Sequence, residues 1–444
     1  MSWCHRMLFI MGFSLKRPKM LQHYTRFQKT QWKSIEWLTR YQEDQLRQLV
    51  IYAYENVPYY RQTFDRLDIC PTDIRTLQDL EHLPVLTKKT IKANWTEFFP
   101  KRKVKYVHGA TGGSTGDPLK YRMSLEDYER GNAILYRSLG YAGYELGDRM
   151  AVMAGSSLIP SMKTDLLKKV VDFFLNFRRY SSFEMSEKNL ALYYRALNGW
   201  QPSFIRGYPT SIYQFARFIK ENDLRLDFQP KAVFTTAEKL LDNQRLFIEE
   251  VFRTRVFDTY GLHDGGISAF ECDAHMGMHI SMERSVFEVV DDENRQIVDR
   301  KGKILATSLF NYALPFFRYD TGDLGIVSSR ACSCGRAMPL LREIYGRETD
   351  FLKLNGIIIG SPVLTVLMGS RDIVQHQIIQ TGPASIICRI IRGAGFGQKD
   401  EDFITQSFYT HIGRIKIDFE YTEHIHPDKT GAKHKFIINR TNPT

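Results

Sequence analysis

Cysteine is scarce in this chain: six residues among 444. So few cannot staple a chain of this length, which excludes a disulfide scaffold. Long apolar runs are missing as well. The N-terminal MSWCHRMLFIMGFSLKRPK is too short and too interrupted to span a bilayer, and it has no small-residue cleavage signature. No transmembrane segment is expected; a weak peripheral membrane contact is the most this stretch offers, and the expected location is cytoplasmic. No internal repeat or low-complexity tract appears. The formal net charge of +11 raises the question of nucleic acid, yet neither a zinc-finger spacing nor a basic helix–heptad pattern accompanies it. No nucleic-acid partner is expected, and the charge supports only a general attraction to anions.

What is present is enough chain for one large domain and a smaller one, each with its own core. Residues 43–69 carry apolar positions at helical spacing on either side of a turn at Asn56, Val57 and Pro58. LPVLTKK, at 83–89, reads as a turn into another helix, and SLEDYERGNAILYRS, at 124–138, as a helix capped by Ser124. Short buried strands follow at 148–154, 202–207 and 231–234, and TTAEKL, from Thr235, is expected to open a helix. Strand, turn and helix recur in an order that predicts parallel α/β structure. After about residue 280 the pattern changes to antiparallel or mixed strands. From about 351 onward, alternating strands at 384–392 and 412–421 flank a helix at 400–411, which predicts a small α+β domain.

The stretch HGATGGSTGDPLKY, at 108–121, is dense in glycine and hydroxyl side chains. Such a loop brings backbone N–H groups close to an anion and therefore suits phosphate. It is not the P-loop pattern, because Asp117 and Pro118 follow the last glycine where that motif has lysine. Three further segments stand in order behind it: FDTYGLHD at 257–264, RYDTGDL at 318–324 and GRETDFLKLNG at 346–356. Together these four resemble the signatures of the adenylate-forming superfamily, the acyl–CoA synthetases and their relatives. LVIYAYENVPYYRQTFD with the later LPVLTKK resembles the phenylacetate–CoA ligase branch, which includes deazaflavin-coenzyme adenylating synthetases and proteins linked to capsular polysaccharide synthesis.

The resemblance implies a large N-terminal adenylation domain with parallel sheets, residues 1–346, and a small mobile α+β domain, residues 347–444. It implies an ATP-dependent ligase that activates a carboxylic acid as an acyl-adenylate, releases pyrophosphate, and passes the acyl group to a thiol such as CoA or to an amine. Thr111, Gly112, Gly113, Ser114, Thr115 and Gly116 would then cradle pyrophosphate. Asp264 would orient magnesium, although the family usually has glutamate there. Tyr260 and Gly261 would flank adenine, Asp323 would accept the ribose hydroxyls, and Arg347 would meet ribose or phosphate. Asp350 would be the pivot between the two steps. The adenylation lysine falls within PDKTGAKHKF, at 427–436, with Lys433 favoured over Lys435 and Lys429.

The acyl pocket is expected near Tyr208, Phe234 and Glu238, which follow or end strands, where open α/β sheets place ligands. ECDAHMGMHI and ACSCG supply Cys272, His275, His279, Cys332 and Cys334, enough for a closed tetrahedral zinc site. The branch context favours His279 as the fourth ligand, with His275 as the alternative. The acceptor stays open between CoA and an amine on a sugar or cell-surface precursor, and so does a homodimer. Departures from the family pattern at Asp264, Thr349 and Ala432 also leave open a non-catalytic nucleotide-binding homologue.

Overall fold

The computed structural model describes residues 3–110, 119–154, 165–181, 187–347, 351–355, 357–360, 373–393, 395–423, 425 and 437–440. Most residues up to Ile344 form one compact unit and those from Tyr345 form another.

Helices α1 (Trp3–Lys16) and α2 (Pro18–Thr30) open the large unit. The periodic stretch at 43–69 is divided by proline. Helix α3 (Ile35–Asn56) ends just before Pro58, which has no N–H to continue the ladder and instead opens α4 (Pro58–Leu67). Hydroxyl caps set the next starts. Thr87 accepts from the Thr90 N–H at 3.1 Å to begin α5 (Lys88–Ala93), and Ser124 accepts from the Asp127 N–H at 3.2 Å to begin α6 (Leu125–Leu139). Between them, β1 (Tyr106–Ala110) pairs antiparallel with β2 (Lys120–Ser124).

One sheet of eleven strands organises the unit. Its strands are β3 (Met150–Ala154), β4 (Phe177–Ser181), β5 (Phe204–Gly207), β6 (Ala232–Thr236), β7 (Val256–Leu262), β8 (Ile267–Glu271), β9 (Met278–Ile280), β10 (Ser285–Val290), β11 (Gly302–Ser308), β12 (Tyr319–Ser328) and β13 (Leu340–Arg347), in the order β10-β11-β12-β13-β9-β8-β7-β6-β5-β3-β4. From β4 to β7 every neighbouring pair is parallel. Each crossover there holds a helix: α7 (Asp165–Leu175), α8 (Glu187–Trp200), α9 (Pro209–Glu221) and α10 (Asp242–Phe252). Phe204, Phe234 and Phe257 stack in a row on one face, with centroids 5.7 and 6.0 Å apart, while Ile205, Val233 and Val256 face the helices.

Two boundaries differ from expectation. The change to antiparallel pairing begins at β7–β8, before residue 280, because only residues 263–266 join those strands and so short a link permits only a hairpin. The helix expected from Thr235 starts at Asp242. Buried Thr235 and half-buried Thr236 extend β6, and the chain then turns through Ala237 at φ +67.

The small unit contains β14 (Phe351–Leu354), β15 (Ile357–Gly360), β16 (Ile373–Gly382), β17 (Ser385–Arg392), α11 (Gln398–Ile412), β18 (Lys416–Tyr421) and β19 (Ile437–Asn439). Four strands form the sheet β18-β17-β16-β19, and Ile404 and Phe408 of α11 pack with Ile378, Ile386, Cys388 and Ile390. This is the expected α+β arrangement. Among the described residues no helix is long and apolar enough to cross a membrane.

Candidate functional site

The glycine-rich residues Thr111, Gly112, Gly113, Ser114, Thr115 and Gly116 lie outside the described residues. Their flanks do not: Ala110 and Lys120 are partners in the β1–β2 register. That hairpin is closely fitted, since a Cβ on Gly109 would lie 2.2 Å from the Tyr121 ring. Tyr121 is buried. Burial, followed by the nearby Asp264 charge, pushes its phenol well above the ordinary value.

Asp264 occupies the four-residue turn between β7 and β8, with Gly265 and Gly266 behind it. Both glycines are required by close approach. A Cβ at Gly265 would meet Ala306 at 2.8 Å, and one at Gly266, where φ is +73, would meet the Ser308 hydroxyl at 2.8 Å. The turn therefore packs flat on β11 and buries the Asp264 carboxylate. The Tyr319 hydroxyl donates to its Oδ2 at 2.8 Å. Tyr319 is the first residue of β12, and Asp323 lies further along the same strand; both are buried. Tyr260 and Gly261 are on β7, three and two positions before the turn. The segments FDTYGLHD and RYDTGDL, distant in sequence, are thus joined by one buried hydrogen bond.

RYDTGDL is also fixed from its other side. The Leu86 N–H donates to the Arg318 carbonyl at 3.0 Å, and the Asp320 N–H donates to the Leu86 carbonyl at 2.9 Å. LPVLTKK therefore docks directly against this motif. Arg318 itself is buried at φ +47 and donates to Glu288 at 3.1 Å and to the Asn294 carbonyl at 2.6 Å. Burial pushes the Glu288 carboxyl up to about 7 against the pull of Arg318.

Of the expected acyl-pocket residues, Tyr208 precedes α9, Phe234 is inside the phenylalanine row of β6, and half-buried Glu238 follows the strained Ala237. Beneath them, buried Asp258 accepts from the Thr235 hydroxyl at 2.6 Å and from the Thr259 N–H at 3.0 Å. Burial, with the Glu271 charge adding to it, pushes the Asp258 carboxyl up to about 7. Glu271 is gripped by both oxygens from Arg245 of α10, at 2.8 and 3.0 Å. Arg347 ends β13. Asp350 and Lys433, with Lys429 and Lys435, lie outside the described residues.

Sheet order explains the cysteine cluster. His279 on β9 is the cross-strand partner of Phe270 on β8 and of Leu340 on β13. That places the loop after β8, with Cys272, beside the loop before β13, with Cys332 and Cys334. One ligand atom from each of Cys272, His279, Cys332 and Cys334 lies within 4.8 Å of all the others. Cys272 Sγ is 3.6 Å from Cys332 Sγ, and Cys334 Sγ is 3.3 Å from His279 Nε2. His279 Nδ1 faces the Met338 carbonyl at 3.4 Å, which orients Nε2 toward the sulfurs. Burial pushes the Cys272 thiol up to about 12 and the His279 imidazole down to about 4. The donor set of three thiols and one neutral imidazole fits a divalent cation such as zinc, whose charge would reverse the penalty on the thiolates. His275 is elsewhere: its Nδ1 is 3.3 Å from Glu271, and its ring packs 4.9 Å from that of Phe257.

Two buried ion pairs beside these motifs have no counterpart in the sequence reading. Arg284 donates to both oxygens of Asp127, at 2.8 and 2.7 Å, and Arg137 donates to Glu283 at 3.3 Å. Their signal was the adjacent charges Glu283 and Arg284 within a largely apolar stretch, ISMERSVFEVV, that also holds Glu288. Its partners, in helix α6, are only found by folding the chain.

Comparison with known proteins adds four findings. Residues 352–440 match the family model of the CapK C-terminal domain. Protein CapK of Staphylococcus aureus is 25% identical over 408 residues, covering 90% of this chain and 88% of that protein. Phenylacetate-coenzyme A ligase of Thermus thermophilus is 27% identical over 414 residues, covering 88% of this chain and 87% of that enzyme. The solved structure of 2-hydroxyisobutyryl-CoA ligase in its postadenylation state superposes with a TM-score of 0.73 at 17% identity, over 94% of this chain and 92% of that one. At that identity the likeness is one of fold.

Proposed function

Because this chain belongs to the adenylate-forming superfamily, we propose that it is an ATP-dependent ligase that activates a carboxylic acid. A carboxylate oxygen attacks the α-phosphorus of ATP, the bond to the β-phosphate breaks, and pyrophosphate leaves. A thiol or amine then attacks the acyl carbon, losing its proton, and AMP departs. The observation that supports this reading is the hydrogen bond between Tyr319 and Asp264, which ties the second motif to the first residue of the strand that carries the third.

In this reading Asp264 would hold magnesium, which supplies a counter-charge to the phosphoryl oxygens. Asp323 accepts both ribose hydroxyls. Tyr260 and Gly261 flank the adenine. Thr111, Ser114 and Thr115 donate hydroxyls to the leaving pyrophosphate, with Gly112, Gly113 and Gly116 allowing close backbone approach. Arg347 meets ribose or phosphate, and Lys433 offsets charge at the carboxylate and α-phosphate. Tyr208 and Glu238 line the acid's pocket, backed by Phe234. Cys272, His279, Cys332 and Cys334 would hold a structural zinc that fastens the loop between β12 and β13.

CoA is the acceptor favoured by the likeness to phenylacetate-coenzyme A ligase over most of both chains. A second reading, an amine on a sugar or cell-surface precursor, rests on the sequence resemblance to the branch that includes proteins linked to capsular polysaccharide synthesis. The product mass decides between them. An acid that drives pyrophosphate release is offered with CoA and with a panel of amino sugars and amines. A thioester supports the first reading, an amide the second, and neither product with any acid would refute the ligase assignment.

A further inference from the structure

The net charge is unevenly placed. The first 35 residues contain Arg6, Lys16, Arg17, Lys19, Arg26, Lys29 and Lys33 and no acid before Glu36, so they hold seven of the eleven net positive charges. The same region exposes apolar side chains. Met7 and Met11, one turn apart on α1, are 41% and 52% exposed. α1 packs against α7: a Cβ on Gly12 would lie 3.5 Å from Phe174, and the His5 ring is 6.1 Å from that of Phe173. On α7, Val170 is 45% exposed, Val171 37% and Phe173 59%. Lys168 and Lys169 directly precede these residues. Two acids lie on α7: Asp165 opens it, and Asp172 is paired with Arg179 at 2.9 Å; on α1, Arg6 is paired with Glu145 at 3.3 Å.

We propose that the α1–α7 face docks on the surface of a bilayer containing anionic lipid. Exposed valine, methionine and phenylalanine in segments whose sequence is rich in lysine and arginine is a combination that settles at a headgroup boundary, where apolar groups enter the acyl region and cations meet phosphate. Neither helix spans: α1 has 14 residues and α7 has 11. A second copy of the chain is a poor occupant, because it would set two cationic segments face to face. Nucleic acid would satisfy the cations but leave Phe173 and Met11 in water. Docking would bring the ligase to an acid or acceptor held in the membrane.

The test uses the full chain and two vesicle preparations, phosphatidylcholine alone and an equal mixture with phosphatidylglycerol. Co-sedimentation should favour the anionic vesicles by about tenfold or more and should weaken as salt rises. Val170→Glu with Phe173→Glu should reduce binding by at least about tenfold. Lys168→Gln with Lys169→Gln should reduce it on anionic vesicles alone, and this pair keeps the proposal testable should the glutamate pair fail to fold. Acid-dependent pyrophosphate release in solution should be unchanged in both variants. Equal binding to both vesicles, or none, would overturn the proposal. So would retention of DNA that ignores the Val170 and Phe173 changes, or a dimer in sedimentation velocity that those same changes abolish.

Discussion

The Tyr319 hydroxyl lies 2.8 Å from Asp264 Oδ2, in a buried position where β12 passes the turn between β7 and β8. A hydrogen bond to a charged group is worth about 1.5–3 kcal/mol, and here it also aims the carboxylate. Tyr319→Phe should leave the fold intact. It should slow acid-dependent ATP–pyrophosphate exchange by about tenfold or more, equivalent to about 1.4 kcal/mol, and raise the magnesium concentration needed for half-maximal rate. A magnesium titration reads both. An unchanged titration would mean that Asp264 does not need this bond.

The four-ligand cluster predicts about one zinc per chain in protein purified without added metal. Cys332→Ser and His279→Ala should lose it and lower Tm, because ligand deprotonation and metal binding are linked to folding. His275→Ala should retain the metal, since that ring is held by Glu271 and Phe257. Elemental analysis of the three variants separates the two histidines. Retention of zinc by His279→Ala with loss by His275→Ala would reverse the assignment.

Asp258 predicts a pH dependence. Its carboxyl is raised by burial, and then by Glu271, from 3.8 to about 7. Between those values the folded chain holds a proton that the unfolded chain has released. Stability from this group is therefore full below about pH 4 and is lost as pH rises toward about 7. Asp258→Asn should remove that slope, so that its stability relative to wild type improves with rising pH across this window. Urea midpoints at several pH values measure it; parallel curves would show that Asp258 is not protonated in the fold.

Much of this arrangement was legible in the sequence, and what was missed has a common cause. Local signals held: Pro58 divides α3 from α4, Ser124 and Thr87 cap helices, and hydroxyl and glycine density marks the stretch joining β1 to β2. Each of these depends on residues a few positions apart. The pair Arg284–Asp127 links residues 157 positions apart, and nothing local announces it. The sequence favoured His279 over His275 through branch resemblance alone; the register of β9 against β13 supplies the physical reason, since it sets His279 beside the Cys332 loop. The reversal at β7–β8 was missed since a turn of ordinary length reads alike in either sheet type. Deleting one member of the Arg284–Asp127 pair leaves a buried charge and costs about 3–5 kcal/mol, so Asp127→Ala should be markedly destabilised in urea even though Asp127 touches no proposed ligand.

In the proposed cycle Lys433 and Asp350 would divide the two half-reactions. A lysine ammonium helps while the carboxylate attacks phosphorus, where charge is growing. Lys433→Ala should nearly abolish acid-dependent pyrophosphate release and spare acyl transfer from a synthetic acyl-adenylate. Asp350→Pro should do the reverse, because proline fixes φ at the proposed pivot. Equal slowing of both steps by Lys433→Ala would move the role to Lys435 or Lys429.

The central claim, that this chain makes an acyl-adenylate, is tested most directly by ATP–pyrophosphate exchange across a panel of carboxylic acids, with magnesium and without any thiol or amine. Label should enter ATP only when a suitable acid is present, the acyl-adenylate should be found by mass, and Asp323→Ala should abolish the signal together with ATP affinity. ATP binding by calorimetry with no exchange for any acid would contradict the account and mark the chain as a nucleotide-binding homologue without ligase chemistry.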